Sequence, residues 1–332
     1  MGDSFPLVKA AVVQAASVLF DREATVEKAL RLVSEAAENG SQLILFPEAF
    51  IPAYPRGLSF GTVVGGRKPE GRLTWERYWA NSVDVPGPVT KKLGEAARKA
   101  NAHLAVGVIE RDSQYSRGTL YCTLLYFGPD VLLLGKHRKI MPTAAERLIW
   151  GFGDGSTLTT VETEIGTIGG LICWENYMPL ARTYMYSKGV EIYLAPTADA
   201  RERWNSTLRH IALEGRCFVL GCNQYVTKDM YPADLEGVED LEGQPETLCR
   251  GGSVIISPLG EELAGPLYDR EGILYADLDL AQVVRSRFDF DVVGHYSRPD
   301  IFQLLVDERS KPSVLSSVGD PAKSRADIDE TE

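Results

Sequence analysis

Apolar positions change period along the chain, and the changes mark its elements. Residues 7–15 are almost continuously apolar around Val12 and Val13, the pattern of a strand covered on both faces. From Thr25 the period lengthens. Val26, Ala29, Leu30, Val33, Ala36 and Ala37 recur at the spacing of one helix face, and Gly40 stops the run. Residues 42–46 predict a second strand, cut off by Pro47-Glu48. A helix opens at Pro88 and runs to about Asn101, and a strand follows over 103–109. Strands over 120–127 and 131–136 meet at Gly128-Pro129-Asp130, and strands over 158–164 and 167–172 meet at Ile165-Gly166. Beyond these the pattern predicts helices over 180–188 and 204–216, with strands over 191–195, 218–226, 253–256 and 274–280.

Three stretches, 49–84, 137–155 and 228–250, carry no period and are expected to be long loops, which in compact domains are usually functional. Strands alternating with helices throughout predict one α/β domain over 1–305 with its helices outside. From 306 the chain turns polar, and disorder is expected from about Asp307. A faint echo links Leu43-Ile44-Leu45-Phe46-Pro47-Glu48-Ala49 to Ile192-Tyr193-Leu194-Ala195-Pro196-Thr197-Ala198, each a strand stopped by proline. It fits a sheet repeated as two layers.

Composition narrows the function. A net charge of -11 with no basic stripe argues against nucleic acid and against anionic membrane surfaces. No apolar run reaches the length of a membrane span, and the N-terminus lacks a signal pattern, so a cytoplasmic location is expected. The 5 cysteines are odd in number and form no CxxC pair. Cys122, Cys217 and Cys222 sit in apolar strand-like runs, which argues against a disulfide framework or a zinc site.

Three apolar strands run into polar groups: Glu48, the loop holding Lys139, and Cys173. Strand ends are rigid, so such groups can converge. A thiol, an ammonium and a carboxylate suit addition of sulfur to an electrophilic carbon bonded to nitrogen, then loss of ammonia and hydrolysis of an acyl-enzyme. Each residue taken singly has a plainer reading. Cys173 could be a small core residue, Glu48 an ordinary strand-end carboxylate and Lys139 a solvated charge. Glu146 could be a carboxylate at a helix start. Tyr54 and Trp174 could be packing residues or walls of a pocket. None of His103, His137, His210 and His295 is singled out as a base, although a Cys–His dyad is not excluded by sequence. Gly166–Gly170 lacks dinucleotide-loop spacing.

Taken in order, several words resemble the nitrilase superfamily, and its nitrilase branch in particular. They are Phe46-Pro47-Glu48-Ala49-Phe50, Gly135-Lys136-His137-Arg138-Lys139-Ile140-Met141-Pro142-Thr143, and Glu146-Arg147 with Trp150-Gly151-Phe152-Gly153-Asp154-Gly155. Leu171-Ile172-Cys173-Trp174-Glu175-Asn176, Ala195-Pro196-Thr197-Ala198-Asp199 and the stretch 289–299 continue the series. The similarity extends to plant β-cyanoalanine nitrilases and to bacterial arylacetonitrile and aliphatic nitrilases. Cys173-Trp174-Glu175 carries the branch assignment.

The resemblance implies a four-layer αββα sandwich and a Glu48–Lys139–Cys173 triad shaped by Glu146. Tyr54 and Trp174 are candidate substrate-binding residues, and the Trp174 backbone N–H is a candidate oxyanion donor. It further implies a small-molecule nitrile as substrate, neither metal nor cofactor, and homodimers that extend into helical filaments. An amidase or N-carbamoyl amide hydrolase with the same triad is the alternative. A non-catalytic binding protein on this scaffold would have no need of all three triad residues, and a cysteine protease or glutaminase would need a histidine base.

Overall fold

The computed structural model describes residues 4–130 and 133–314. Two mixed sheets lie face to face between two layers of helices. The elements run β1 (Leu7–Gln14), α1 (Arg22–Glu38), β2 (Leu43–Leu45), β3 (Thr62–Val63), β4 (Gly66–Arg67), α2 (Gly71–Asn81), β5 (Val83–Asp84), α3 (Pro88–Ala100), β6 (His103–Arg111), β7 (Leu120–Phe127) and β8 (Gly135–Arg138). The second half continues with β9 (Thr160–Thr163), β10 (Gly166–Gly170), α4 (Pro179–Ser187), β11 (Ile192–Pro196), α5 (Arg203–Gly215), β12 (Phe218–Cys222), β13 (Tyr225–Thr227), β14 (Thr247–Ile256), β15 (Glu262–Tyr268), β16 (Gly272–Asp279) and α6 (Ala281–Ser286).

The first sheet has the order β16-β1-β2-β6-β7-β8, and the second β13-β14-β12-β11-β10-β9. Each is built on a parallel trio, β1-β2-β6 in one and β12-β11-β10 in the other. The two strands of the sequence echo, β2 and β11, sit at the centre of their trios.

Strand periodicity explains the layers. Along β1, Val8, Ala10 and Val12 point to the inner core with Ile192, Leu194, Phe218 and Leu220 of the other sheet. Ala11 and Val13 point outward, onto Val26, Ala29 and Val33 of α1 and Leu93 of α3. On the far side Tyr193, Ala195 and Val219 meet Met185 of α4 and Leu208 and Ile211 of α5. Burying each valine, leucine, isoleucine or methionine side chain among these contributes about 1.5–3 kcal/mol. Three separate apolar clusters therefore define the four layers helix, sheet, sheet, helix.

The structure differs from expectation in several places. The stretch 49–84 is not a plain loop: it holds the β3–β4 hairpin and the helix α2. That helix fully buries only Gly71, Thr74 and Tyr78, and its packed apolar face is the short set Trp75, Tyr78 and Trp79. The strand expected over 218–226 breaks into β12 and β13, and β15 and α6 were not anticipated. Val131 and Leu132 of the strand expected over 131–136 lie outside the described residues, and pairing with β7 begins at Gly135. No described helix is long and apolar enough to cross a membrane.

The expected tail lies outside the described residues beyond 314. Its first part rests on the body. Glu308 pairs with Lys188 at 3.0 Å, and the Lys311 backbone N–H donates to Asp154 at 2.7 Å.

Candidate active site

The ends of β2, β8, β10 and β11 converge. Glu48 lies just past β2, Lys139 follows β8, Cys173 stands beyond β10 and Thr197 follows β11. Cys173 opens a tight turn (Cys173–Tyr177) and takes a positive φ of 53°, an uncommon conformation for a residue with a side chain. Two glycines allow the close approaches. A Cβ on Gly107 of β6 would lie 2.2 Å from the Pro47 carbonyl oxygen, directly under the Glu48 segment. One on Gly170 would lie 1.9 Å from the Leu194 carbonyl oxygen.

At the centre is a buried ammonium between two carboxylates. Lys139 Nζ is 2.6 Å from Glu48 Oε1 and 2.7 Å from Glu146 Oε2. Glu146 also accepts the Thr143 backbone N–H at 2.6 Å and the Tyr54 hydroxyl at 2.8 Å. Glu48 and Lys139 have no solvent exposure. Thr197 Oγ1 donates to Cys173 Sγ at 3.2 Å, and Asn176 Nδ2 donates to the Cys173 carbonyl at 2.9 Å. Glu48 Oε2 makes no hydrogen bond of normal length and angle, while the Cys173 thiol acts on that carboxyl as a nearby donor.

Electrostatics follow from burial. Burial raises the Glu48 pKa above the usual 4.5, against the pull of Lys139 and with the push of Glu146. Burial, then the Glu48 charge, pushes the Cys173 thiol up to about 12, and Lys139 only partly offsets this. Burial would depress Lys139, but Glu48 and Cys173 outweigh it and hold the lysine as an ammonium. Cys173 therefore rests as a thiol beside the Glu48 carboxyl, one oxygen of which is free. The proton can leave sulfur only as a base takes it.

The site opens to a cavity of about 490 Å³ lined by Tyr54, Arg56, Glu146, Cys173, Trp174 and Arg201, among others. Tyr54, Glu146, Cys173 and Trp174, all expected from the sequence, thus share one wall, with Glu48 and Lys139 sealed behind it. Trp174 is half-exposed at the rim, where its Nε1 donates to Asp199 at 2.9 Å. Its backbone N–H meets no backbone acceptor among the described residues.

The histidines do not approach the nucleophile as a base would. Among the described residues, the side-chain hydrogen bond to Cys173 Sγ comes from Thr197. His137 pairs with Glu175, His103 with Glu164 and His210 with Glu214, while His295 packs on Tyr296.

Sequence reasoning missed Arg56, Thr197, Glu175 and His137 as site residues. Arg56 stacks near the Tyr54 ring and donates to the Ala198 carbonyl oxygen. Thr197 could have been found, since the echo aligns it with Glu48.

Residues 9–288 match the carbon-nitrogen hydrolase family, and the chain belongs to that family. It is 55% identical over 308 residues to an aliphatic nitrilase of Sinorhizobium fredii, covering 93% of this chain and 98% of that protein. It is 52% identical over 332 residues to the bifunctional nitrilase/nitrile hydratase NIT4B of Nicotiana tabacum, covering 98% and 94%. Among solved structures, the NitFhit protein of C. elegans superposes with a TM-score of 0.71 at 21% identity, over 94% of this chain and 70% of that one. The four-layer fold is thus that of the family.

Proposed function

We propose that this chain is a nitrilase that hydrolyses an organic nitrile to its carboxylic acid and ammonia. The observation that carries the reading is the Cys173 thiol on the cavity wall, with the Glu48 carboxyl within its reach and the Lys139 ammonium bound to that carboxyl. The names of relatives above half identity support the nitrile as substrate class.

Glu48 takes the thiol proton as Cys173 Sγ adds to the nitrile carbon, the nitrogen gains a proton from Lys139, and Glu48 passes the thiol proton on to Lys139 across their 2.6 Å contact, so that the carboxylate and the ammonium are both restored. The product is a thioimidate. Water, deprotonated by Glu48, adds to its carbon and gives a tetrahedral centre bearing sulfur, hydroxyl and amine. Lys139 and the Trp174 N–H steady the charge that develops there. Ammonia leaves, a thioester remains, and a second water releases the acid and restores the thiol. Two waters are consumed for each nitrile. Where sulfur departs first, the amide is released, and Glu146 is placed to influence that choice. Tyr54 and Trp174 wall the substrate. No cofactor or metal enters these steps.

The runner-up, an amidase or N-carbamoyl amide hydrolase, would use the same groups. Ammonia release from matched nitriles and amides separates the two. Cys173→Ala should keep the fold and release no ammonia from any nitrile; normal turnover by that variant would sink the mechanism.

We also read the chain as a cytoplasmic protein that pairs and extends into filaments. Leu180 and Leu213 leave apolar surface exposed on the α4–α5 layer, which favours a second copy there. A monomer in sedimentation at micromolar concentration would refute the pairing.

A further inference from the structure

Glu175 lies two residues past the nucleophile, and neither it nor His137 has any solvent exposure. Glu175 does not line the cavity. Its Oε1 accepts the backbone N–H of Ile140 at 2.5 Å, and its Oε2 accepts that of Ile172 at 2.6 Å. Ile140 is the residue after Lys139, at the end of a strand of the first sheet. Ile172 is the residue before Cys173, at the end of a strand of the second. One carboxylate therefore ties the backbone beside the lysine to the backbone beside the nucleophile, across the gap between sheets.

Its third donor is His137. His137 Nε2 is 2.9 Å from Glu175 Oε2, and Nδ1 is 2.9 Å from the Thr157 carbonyl oxygen. A carbonyl oxygen can only accept, and this carboxylate already takes two N–H donors. Both ring nitrogens face acceptors, so both carry hydrogens and the ring is an imidazolium. Burial would depress the His137 pKa, but the charge and hydrogen bond of Glu175 and the Thr157 carbonyl outweigh it and raise it. The other groups that feel Glu175, the Tyr126 and Tyr193 hydroxyls and the Cys122 thiol, are held protonated by burial. His137 and Lys139 are two apart at the end of one strand, so they share a face.

We propose that His137 and Glu175 form a buried ionic clamp that sets the position of Lys139 against Cys173, and that both are positioning residues for the reaction. The proposal rests on the reading that Cys173 and Lys139 act together. An amide at 175 could not replace the carboxylate, because its NH2 would face at least one N–H donor.

The test uses the full chain with three substitutions, Glu175→Gln, His137→Asn and His137→Gln. Gln can reach Glu175 with an amide N–H in place of Nε2. Asn can reach only toward Thr157. For a nitrile that the wild type hydrolyses, kcat should fall about 100-fold in Glu175→Gln and His137→Asn, with KM within about threefold, as expected for misplaced reacting groups. His137→Gln should stay within about tenfold of wild type, the spacing of one lost increment of transition-state stabilisation. Equal kcat in the two His137 variants, or losses carried by KM, would overturn the clamp. If Glu175→Gln does not fold, the His137 pair decides alone. Alkylation of Cys173 by iodoacetamide, followed by peptide mass, should rank the variants in the same order without any substrate. A wild type that is alkylated normally yet releases no ammonia from nitriles would refute the proposed activity and leave the clamp to be judged by alkylation.

Discussion

Thr197 stands to the second sheet as Glu48 stands to the first. Each follows the proline that ends the central strand of a parallel trio, Pro196 in one and Pro47 in the other. Each also bears on Cys173: Thr197 through a hydrogen bond of 3.2 Å, Glu48 through its charge and free oxygen. A hydroxyl that donates to sulfur interacts more strongly as the sulfur becomes negative, so it belongs to the transition state more than to the resting thiol. Thr197→Val keeps the shape and removes the donor. Its kcat should fall about tenfold, or ~1.4 kcal/mol, with KM little changed. Single-turnover rates on a nitrile would check this, and an unchanged rate would assign Thr197 to packing alone.

Lys139 has no solvent exposure itself and neutralises two carboxylates, Glu48 fully buried and Glu146 nearly so at the cavity wall. Lys139→Met should therefore lose turnover and also cost about 3–5 kcal/mol of stability, because two charges stay buried without their partner. The double variant Lys139→Met/Glu48→Gln should recover part of that stability and none of the activity. Urea unfolding of the three proteins tests the first statement, and ammonia release the second. Near-wild-type turnover in Lys139→Met would remove the lysine from the mechanism.

The raised Glu48 pKa sets the acid side of the activity profile. The carboxylate must be ionised to accept the thiol proton, and burial raises its pKa. Activity should thus be lost as pH falls through a midpoint above the ordinary 4.5, since protonation begins earlier than in a solvated glutamate. A profile of kcat/KM against pH, on a nitrile without ionisable groups, reads that midpoint directly. A midpoint at or below the ordinary value would mean that Glu48 is not the base.

Gly107 shows how much of this arrangement was hidden from sequence. Period and strand ends marked out alternating strands and helices, with the polar groups Glu48, Lys139 and Cys173 at strand ends, while the four layers were implied by the family resemblance and not by period. The echo between β2 and β11 even marked the two central strands. What was illegible depends on contacts between distant segments. Nothing near Gly107 says that its missing Cβ makes room for Pro47 and Glu48, and nothing near His137 announces Glu175. Positive φ values at Ala49, Ala144 and Cys173, all beside the site, fall on residues that carry no glycine signal. The helix α2 was lost for another reason: its packed face is short, limited to Trp75, Tyr78 and Trp79, and is set among the glycines, prolines and charges of an irregular stretch. Gly107→Ala tests the hidden contact. The new methyl must displace the segment Pro47–Ala49, since backbone atoms lie within 3 Å of it. Turnover should fall about 100-fold, as for an ångström-scale displacement of a reacting group, while circular dichroism stays that of a folded protein. Full activity would show that the strand can shift without moving the base.

In the proposed mechanism Glu146 is expected to govern which group leaves the tetrahedral centre. It holds Lys139 at 2.7 Å, is held in turn by Thr143 and Tyr54, and reaches the wall of the cavity. An amine leaves only after it gains a proton, and a neighbouring carboxylate stabilises the positive charge which that protonation puts on the nitrogen. Sulfur leaves with negative charge, which the same carboxylate opposes. Glu146→Gln weakens both effects in one direction, toward loss of sulfur and release of amide. The acid-to-amide ratio should drop by about tenfold, equivalent to ~1.4 kcal/mol between the two exits. Chromatographic measurement of both products from one nitrile gives the ratio even if total turnover also falls. An unchanged ratio, or one shifted toward acid, would show that the choice of leaving group is made elsewhere in the site.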